Sequence, residues 1–316
     1  MPQAEITRVA VVGNGIIGHG VAEVFATAGH DVVLIGRRES SLNTAVDKVR
    51  ASVSEFVERG LLPDGSAAAA CARLTTSTDL GAAQSAGFVV EALPEDMGLK
   101  VATFARLDEI CGPSAILATA SGHPASEVAA EVRRPERLVA AHFWYPPQLL
   151  PLVEVCGTPA TSAEVVKRTC DLLRAVGKEP VVIDREIDGF IGNRLQFALL
   201  REAWSLWADG VASAAAIDAV VRHSIGRRLA ITGPIESADL GGIQTMASFA
   251  QFLQPHLSTD PQPPPEVTAV ASAPSASGRF GVGQLDKAAL GHLLHARRDE
   301  LFRWLAKDRK SERNGA

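Results

Sequence analysis

The chain has 316 residues, an apolar composition of 47% and a formal net charge of −5, with a pI near 5.9. These values predict a globular protein of about two domains and give no indication of nucleic acid or an anionic membrane as a partner. Because no apolar run reaches about 18 residues and the start lacks a signal-peptide pattern, we expect a cytoplasmic protein. The four cysteines have no metal-type spacing, which predicts free buried thiols and no metal site.

The first elements in chain order form a strand–turn–helix–strand unit. Val9–Val12 and Asp31–Ile35 are apolar runs typical of buried strands, and Ile16–Thr27 has the pattern of a helix. The connecting turn has the spacing G-x-G-x-x-G, which permits a tight bend, approach of the backbone to a pyrophosphate, and close helix packing. A glycine-rich turn of structural use only is the alternative. We predict a dinucleotide-binding loop made of Gly13, Asn14, Gly15, Ile16, Ile17 and Gly18.

The end of the second strand indicates which dinucleotide binds. An NAD-preferring site usually has Asp or Glu there to bind the ribose 2′-hydroxyl, whereas this chain has Gly36 followed by Arg37 and Arg38. Glycine leaves room for a 2′-phosphate, and a guanidinium binds phosphate through two parallel hydrogen bonds. We therefore predict a preference for NADP(H). The alternative is that both arginines are solvated and NAD(H) binds through backbone contacts.

Further strands and helices alternate up to residue 187, which indicates an α/β fold with a mostly parallel sheet. The amphipathic helix Ser40–Leu62 is long enough to suggest an arm that stands off the sheet. From residue 188 the pattern is helical. The additional predicted strands are Leu74–Thr76, Phe88–Glu91, Ile116–Ala118, Leu138–Phe143, Leu152–Val155 and Pro180–Ile183. The later helices are Phe190–Asp209, Ala214–Ser224, Ile243–Leu253 and Leu285–Ala306.

These elements predict a Rossmann-type dinucleotide-binding domain over residues 1–187, followed by an all-helical domain over residues 188–316. Within the second domain, Ser258–Pro265 is proline-rich and predicts a linker, while Ala271–Gly283 predicts a loop. Lys307–Ala316 is charged and predicts a mobile tail. Trp204 and Trp207 share one face of an apolar helix, so we expect the helical domain to form a homodimer.

His142 and Glu154 stand out as polar residues in two otherwise apolar strand segments. Histidine is the usual general acid/base near neutral pH, and a buried carboxylate beside it would fix its tautomer and stabilise the imidazolium. A histidine satisfied in the core by a structural glutamate is the equally open alternative.

Five motifs together resemble the 3-hydroxyacyl-CoA dehydrogenase family, including its L-gulonate 3-dehydrogenase (lambda-crystallin) branch, which acts on small free hydroxy acids. The resemblance covers about residues 7–255 and implies a nicotinamide-dependent dehydrogenase. The motifs are Val12–Gly18, Glu91–Asp96 leading to Lys100, Ala141–Phe143 with Glu154, Asp188–Arg194, and Gly233–Glu236.

The resemblance implies a role for six residues. His142 matches the catalytic acid/base and Glu154 its carboxylate partner, while Ser121 and Asn193 match residues near the reacting oxygen. Glu95 and Lys100 match residues near the ribose and nicotinamide end of the cofactor. The structural alternatives are a strand end for Ser121, a helix cap for Asn193, and a surface ion pair for Glu95 and Lys100.

Several features depart from the family pattern. Tyr145 replaces the usual asparagine after the histidine motif, where it either contacts the substrate or packs behind the histidine, and the C-terminal motif is degraded to Gly278–Gly283. The short, lysine-poor arm favours a small acid over a CoA thioester. Arg228 is a candidate for binding a substrate carboxylate, with a surface role as the alternative.

The leading hypothesis is an NADP(H)-dependent dehydrogenase that acts on the 3-hydroxy or 3-keto group of a small acid. The alternatives are an NAD-dependent short-chain 3-hydroxyacyl-CoA dehydrogenase and a cofactor-binding structural protein without turnover. The resemblance implies a small-molecule substrate, and neither nucleic acid nor membrane is an expected partner.

Overall fold

The computed structural model describes residues 6–272 and 287–314. The chain divides into two compact units, one formed by the described residues up to Phe190 together with those from Asp299 onward, and the other by Ile191–Arg298. The last helical turns therefore belong to the first unit, whereas the sequence pattern assigned all of residues 188–316 to the second domain.

The first unit is built on one eight-stranded sheet in the order β3-β2-β1-β4-β5-β6-β7-β8. All neighbouring strands are parallel except β6 and β7, which are antiparallel. Strand order reverses beside β1, which creates the crevice where α/β sheets of this kind bind ligands. All eight predicted strands are confirmed, as β1 (Arg8–Val12), β2 (Asp31–Ile35), β3 (Leu74–Ser77), β4 (Phe88–Glu91), β5 (Ile116–Thr119), β6 (Leu138–Phe143), β7 (Leu152–Gly157) and β8 (Glu179–Ile183).

Helices cover both faces of this sheet and create two apolar cores. Alternate residues of a strand point to opposite faces, so Val9 and Val11 join one core while Ala10 and Val12 join the other. The helices are α1 (Gly18–Thr27), α2 (Glu39–Glu58), α3 (Ser66–Arg73), α4 (Met97–Ile110), α5 (Ala125–Val128) and α6 (Ala163–Ala175). The mostly parallel sheet with a following helical region confirms the predicted fold class.

Helix α2 does not stand off the sheet as an arm. Its residues Leu42, Ala45, Val49 and Val53 are buried in the core that also contains β1 and α1. The prediction was wrong because it was based on the length of this amphipathic helix, and length does not show that the apolar residues on one face join the core.

The second unit is helical, as predicted. Helix α8 begins where the Ser213 hydroxyl accepts a hydrogen bond from the Ala216 N–H (3.2 Å), and α10 begins where the Glu236 carboxylate accepts one from Gly233 N (2.9 Å). Helices α8 to α11 bury none of their residues. The later helices are α7 (Phe190–Ala208), α8 (Ala214–His223), α9 (Ile225–Leu229), α10 (Pro234–Leu240), α11 (Ile243–Leu253), α12 (Pro265–Ser272) and α13 (Lys287–Asn314).

The C-terminal segment differs from its prediction. Helix α13 continues to Asn314 instead of ending before a mobile tail, because Phe302 and Leu305 pack against Phe56 and Arg309 donates a hydrogen bond to the Leu61 carbonyl (2.7 Å). Most of the predicted loop Ala271–Gly283, including the motif Gly278–Gly283, lies outside the described residues. Among the described helices, none is both long and apolar enough to cross a bilayer.

Candidate active site

The histidine and glutamate singled out in the sequence form a direct pair. Antiparallel pairing of β6 and β7 places His142 opposite Glu154, and His142 Nδ1 lies 2.8 Å from Glu154 Oε2. Glu154 is buried, whereas the His142 side chain remains 12% exposed. The second ring nitrogen, Nε2, makes no hydrogen bond to a described residue, so it is free to meet a substrate oxygen.

Two aromatic rings flank His142, and the sequence interpretation assigned neither a role. The Trp144 ring meets the imidazole edge to face with centroids 5.9 Å apart, and the Phe190 ring lies 5.8 Å away on a tilted approach. Phe190 is fully buried and has a φ of +45°, a left-handed conformation that is strained for a bulky residue. Its position in the motif Asp188–Arg194 was the only sequence signal of its importance.

Ser121 and Glu95 are brought together at the end of β5. The buried Ser121 hydroxyl donates to Glu95 Oε2 (2.9 Å) and accepts a hydrogen bond from the His123 N–H (3.1 Å). The Ser121 N–H in turn donates to the Thr119 hydroxyl (3.2 Å). Ser121 lies two residues beyond the strand, so it does not simply end β5.

Lys100 lies in a buried network and not in a surface ion pair. Asp96 caps α4 by accepting a hydrogen bond from Leu99 N (3.0 Å), which places Lys100 in the first helical turn. There the Lys100 ammonium, only 1% exposed, donates to Glu91 Oε1 (2.8 Å) and the Leu93 carbonyl (3.2 Å) and lies 3.3 Å from Glu95 Oε2. Lys100 therefore fixes the loop that carries Glu95.

The buried partner of Lys100, Glu91 on β4, was not assigned a role from the sequence. Glu91 Oε1 also accepts the Leu93 N–H (2.6 Å), and Glu91 Oε2 accepts the Thr119 hydroxyl (2.7 Å). Every oxygen of this carboxylate has a donor, as a buried charge requires. The network joins the ends of β4 and β5 beneath Ser121.

The glycine loop fits a dinucleotide. A Cβ at Gly13 would lie 2.4 Å from the Ala92 carbonyl oxygen and one at Gly18 would lie 1.8 Å from the Gly13 oxygen, so neither position tolerates a side chain. A Cβ at Gly15 would meet nothing within 4 Å, which leaves the open approach that a pyrophosphate needs beside the start of α1. The residues from Gly13 to Gly18, including Asn14, Ile16 and Ile17, could thus hold the cofactor phosphates.

His19 supports this loop and was not noticed in the sequence. Its Nδ1 donates a hydrogen bond to the Gly15 carbonyl oxygen over 2.6 Å. Burial lowers the pKa of His19, with Lys48 acting in the same direction and the hydrogen bond to Gly15 opposing it. A neutral imidazole that carries its proton on Nδ1 therefore tethers the phosphate loop.

The end of β2 holds two exposed arginines and an amide. A Cβ at Gly36 would lie 2.8 Å from the Asn14 amide oxygen, so a carboxylate side chain could not occupy this position without displacing Asn14. The guanidinium groups of Arg37 and Arg38 form no ion pair with a described residue. This end of the strand therefore offers two guanidinium donors, and the first acidic residue after them is Glu39 at the start of α2.

The remaining predicted site residues are Tyr145, Asn193 and Arg228. Tyr145 is 52% exposed, which excludes packing behind the histidine, where Trp144 lies instead. Asn193 is in the first turn of α7 and Arg228 is exposed on α9, and both belong to the second unit. Their part in the site stays a prediction.

The described residues include one group with metal-ligand chemistry, formed by His123, Glu127 and Asp188. Their ligand atoms lie within 4.8 Å of one another, and all three residues are exposed. Exposed acidic groups of this kind are common without an ion, so the expectation of no metal site stays a prediction.

A doubly wound sheet with a glycine loop after β1, followed by a helical unit, defines a dinucleotide-binding protein. Residues 8–187 match the model of the 3-hydroxyacyl-CoA dehydrogenase NAD-binding domain, and residues 189–284 match the model of the C-terminal domain of the same enzymes. The chain therefore belongs to the 3-hydroxyacyl-CoA dehydrogenase family, as the sequence motifs predicted.

Individual relatives agree with this assignment. The chain is 38% identical to the 3-hydroxyadipyl-CoA dehydrogenase of Escherichia coli (strain K12) over 238 residues, which are 75% of this chain but only 49%, about half, of that protein. It is 33% identical to the 5-formyl-3-hydroxy-2-methylpyridine 4-carboxylate 5-dehydrogenase of Mesorhizobium japonicum over 282 residues, 88% of each chain.

A solved structure is similar over nearly the whole chain. The crystal structure of a 5-formyl-3-hydroxy-2-methylpyridine 4-carboxylic acid 5-dehydrogenase, described as an NAD+-dependent dismutase, matches with a TM-score of 0.85 and 28% identity. The match covers 98% of this chain and 99% of that one. The fold and both domains are therefore those of CH–OH dehydrogenases with a nicotinamide-dinucleotide-binding domain.

Proposed function

We propose that the chain is an NADP(H)-preferring dehydrogenase that interconverts the 3-hydroxy and 3-keto forms of a small free acid. The observation that carries this proposal is the His142–Glu154 pair, in which one imidazole nitrogen is held at 2.8 Å and the other makes no hydrogen bond to the part of the chain that the structure describes. When bound, the nicotinamide supplies or accepts the hydride, and the protein supplies position and electrostatics.

The proton is moved by His142. In the reducing direction, His142 Nε2 gives its proton to the carbonyl oxygen as negative charge develops there, and in the oxidising direction it takes the proton back. Glu154 holds the ring orientation and stabilises the imidazolium through Nδ1. An intact pair with an accessible nitrogen argues against the alternative of a structural protein without turnover.

Ser121 and Asn193 would donate hydrogen bonds to the same substrate oxygen and hold the substrate in line. The Ser121 hydroxyl donates to Glu95 in this structure, so it must turn away from that carboxylate to reach the substrate. Tyr145, being half exposed, is available to contact the rest of the substrate, and Arg228 is available to bind a carboxylate.

The end of β2 supports the preference for NADP(H). Asn14 fills the space in which an acidic side chain would sit at Gly36, and the guanidinium groups of Arg37 and Arg38 form no ion pair within residues 6–272 and 287–314. Two guanidinium donors are therefore available to a 2′-phosphate, and no carboxylate stands at position 36 itself. The name of the Mesorhizobium relative, which matches 88% of this chain, denotes a free carboxylate substrate, and this supports a small acid here.

The NAD-dependent short-chain 3-hydroxyacyl-CoA dehydrogenase remains the second candidate. It is supported by the 38% identity to the Escherichia coli enzyme, whose name denotes a CoA ester. Turnover of CoA esters without turnover of free acids selects this candidate.

The helical unit supports the further proposal of a homodimer. Large apolar side chains on α10 and α11 are exposed in the single chain, among them Leu240 (78%), Phe249 (62%) and Phe252 (69%). An apolar surface of this kind is typical of a subunit interface. Light scattering after gel filtration should give twice the chain mass.

The four free cysteines, three of them buried, support the proposed cytoplasmic location.

Fluorescence titration with NADPH and NADH tests the cofactor proposal. We expect tighter binding of NADPH, and we expect Arg37→Ala/Arg38→Ala to weaken NADPH about tenfold while leaving NADH within about twofold. Arg50→Ala, which removes an exposed arginine of α2 paired with Asp47, is the matched control. Equal binding of both cofactors, or equal losses in the variant, contradicts the proposal.

A further inference from the structure

A single carboxylate oxygen in the active site receives two different donors. Glu154 Oε2 lies 2.8 Å from His142 Nδ1 and accepts a hydrogen bond from the Trp144 indole nitrogen over 3.1 Å. His142 lies on β6 and Trp144 follows the last residue of that strand, and both side chains reach the same glutamate on β7.

The two donors differ in what they can do. An imidazole donates, accepts and changes its charge near neutral pH, whereas an indole N–H is a donor only and does not titrate. Trp144 therefore cannot move the proton. It can only orient the carboxylate and draw electron density from Oε2, as a hydrogen bond to a charged acceptor does.

We propose that Trp144 is a positioning residue that acts on His142 through Glu154, by fixing the carboxylate and reducing its basicity. A weaker base opposite Nδ1 stabilises the imidazolium less than a carboxylate without this second donor would. Trp144 also keeps Oε2 in the direction of the imidazole. The consequence for the reaction rests on the proposed function.

The charged surroundings of His142 leave Glu154 as the group that acts on it. Strand β5 brings no charged residue, and β7 brings only Glu154. Helix α5 carries Glu127, and α6 carries charged residues along its length. None of these helical residues forms an ion pair or hydrogen bond with His142; they are Glu127, Glu164, Lys167, Arg168, Asp171 and Arg174.

NMR titration of the His142 imidazole in wild type and in Trp144→Phe tests the proposal without any substrate. Phenylalanine keeps an aromatic ring but lacks the N–H, so we expect the midpoint of the titration to rise by about half a pH unit. Trp304→Phe, in helix α13 near Lys307, is the control for loss of a tryptophan and should leave the midpoint unchanged. An unchanged midpoint in Trp144→Phe overturns the proposal.

A double-mutant cycle identifies the route of the effect. In a Glu154→Gln background, Trp144→Phe should no longer move the midpoint, because the charged acceptor through which it acts is gone. A shift that persists in this background contradicts action through Glu154. If Trp144→Phe does not fold, Trp144→Leu serves instead and should give the same shift.

Kinetics then separate this role from simple packing. We expect Trp144→Phe to lower kcat about threefold to tenfold, to move the pH profile with the NMR midpoint, and to leave KM for the cofactor unchanged. A lower kcat with an unmoved pH profile indicates packing only and contradicts the proposal. If no substrate is turned over, the proposed function fails while the NMR result still decides the role of Trp144.

Discussion

Two buried carboxylates of the same sheet have opposite surroundings. Glu91 on β4 receives Lys100, the Leu93 N–H and the Thr119 hydroxyl, and both Glu91 and Lys100 are sealed from solvent. Glu154 on β7 receives the partly exposed imidazole of His142, whose second nitrogen has no partner among the described residues. The comparison teaches that a fully satisfied charge pair holds a loop in place, whereas a pair with one open position can move a proton.

The largest expected effect, a loss of turnover, comes from breaking the His142–Glu154 pair. We expect His142→Gln to lower kcat about a thousandfold, since general acid–base catalysis supplies this order of acceleration. Glutamine keeps a donor near Glu154, so the free energy of unfolding and the affinity for NADPH should stay close to wild type. Steady-state kinetics and fluorescence titration check both parts, and substantial remaining turnover contradicts the role of His142.

Breaking the buried Glu91–Lys100 pair should lower the stability of the protein. Lys100→Met leaves Glu91 charged and unpaired in the core, so we expect the free energy of unfolding to fall by about 3 kcal/mol. Urea denaturation measures this change. Glu91→Gln combined with Lys100→Met should recover part of the loss, because no charge is then buried. An unchanged denaturation midpoint in Lys100→Met contradicts the claim that the buried Glu91–Lys100 pair stabilises the fold.

Lys178 is another buried cation, and it forms no ion pair with a described carboxylate, which extends the comparison to the dependence of stability on pH. Its ammonium donates to the carbonyls of Pro147 and Leu150, in the loop that follows Tyr145. Burial lowers the pKa of Lys178 to about 8; the charge of Arg309 adds to the decrease and that of Glu23 opposes it. An unfolded lysine keeps its proton up to about pH 10.4.

Between these two values the unfolded chain binds a proton that the folded chain has lost, so stability contributed by this group rises with pH. We expect the free energy of unfolding to rise from about pH 8 to about pH 10, and Lys178→Met to flatten this rise. Denaturation at several pH values, with exposed Lys48→Met as the control, measures the slope. A slope that is equal in wild type and Lys178→Met contradicts the assignment.

The smallest effect is expected at an exposed ion pair. Arg59 contacts Asp299 at 2.6 Å where α13 meets the end of α2, and both side chains are partly exposed. Solvent screens such a pair, so Asp299→Asn should change the free energy of unfolding by about 0.5 kcal/mol or less. Phe302→Ala, which removes a buried ring beside Phe56, should cost several times more. Equal losses in the two variants would show that the ion pair, and not burial, holds α13.

The sheet was predictable because most of its strands, such as β1, β2 and β4, are short apolar runs bounded by turn residues. The cross-strand meeting of His142 and Glu154 followed from the motif resemblance, and the structure shows its register. The packing of α2 and the docking of α13 were not predictable. Both depend on contacts between distant segments, such as Phe56 with Phe302, that no local pattern records.

The supporting residues of the site were equally hidden. Glu91 has the pattern of the last residue of an apolar strand, and Trp144 that of one aromatic among several. Their roles depend on the atoms that they contact in the folded chain. Glu91 contacts Lys100 Nζ, and Trp144 contacts Glu154 Oε2. Periodicity predicts which side of an element is buried, but it does not identify the partner of a buried polar atom.

Transfer of isotope from the cofactor tests the central claim most directly. Purified protein is incubated with NADPH that carries deuterium at C4 of the nicotinamide and with a panel of small 3-keto acids, and the products are analysed by mass spectrometry. We predict one deuterium on the carbon that bears the new hydroxyl with wild type, and almost none with His142→Gln. Product without deuterium, or equal transfer by both proteins, contradicts hydride transfer assisted by the His142–Glu154 pair.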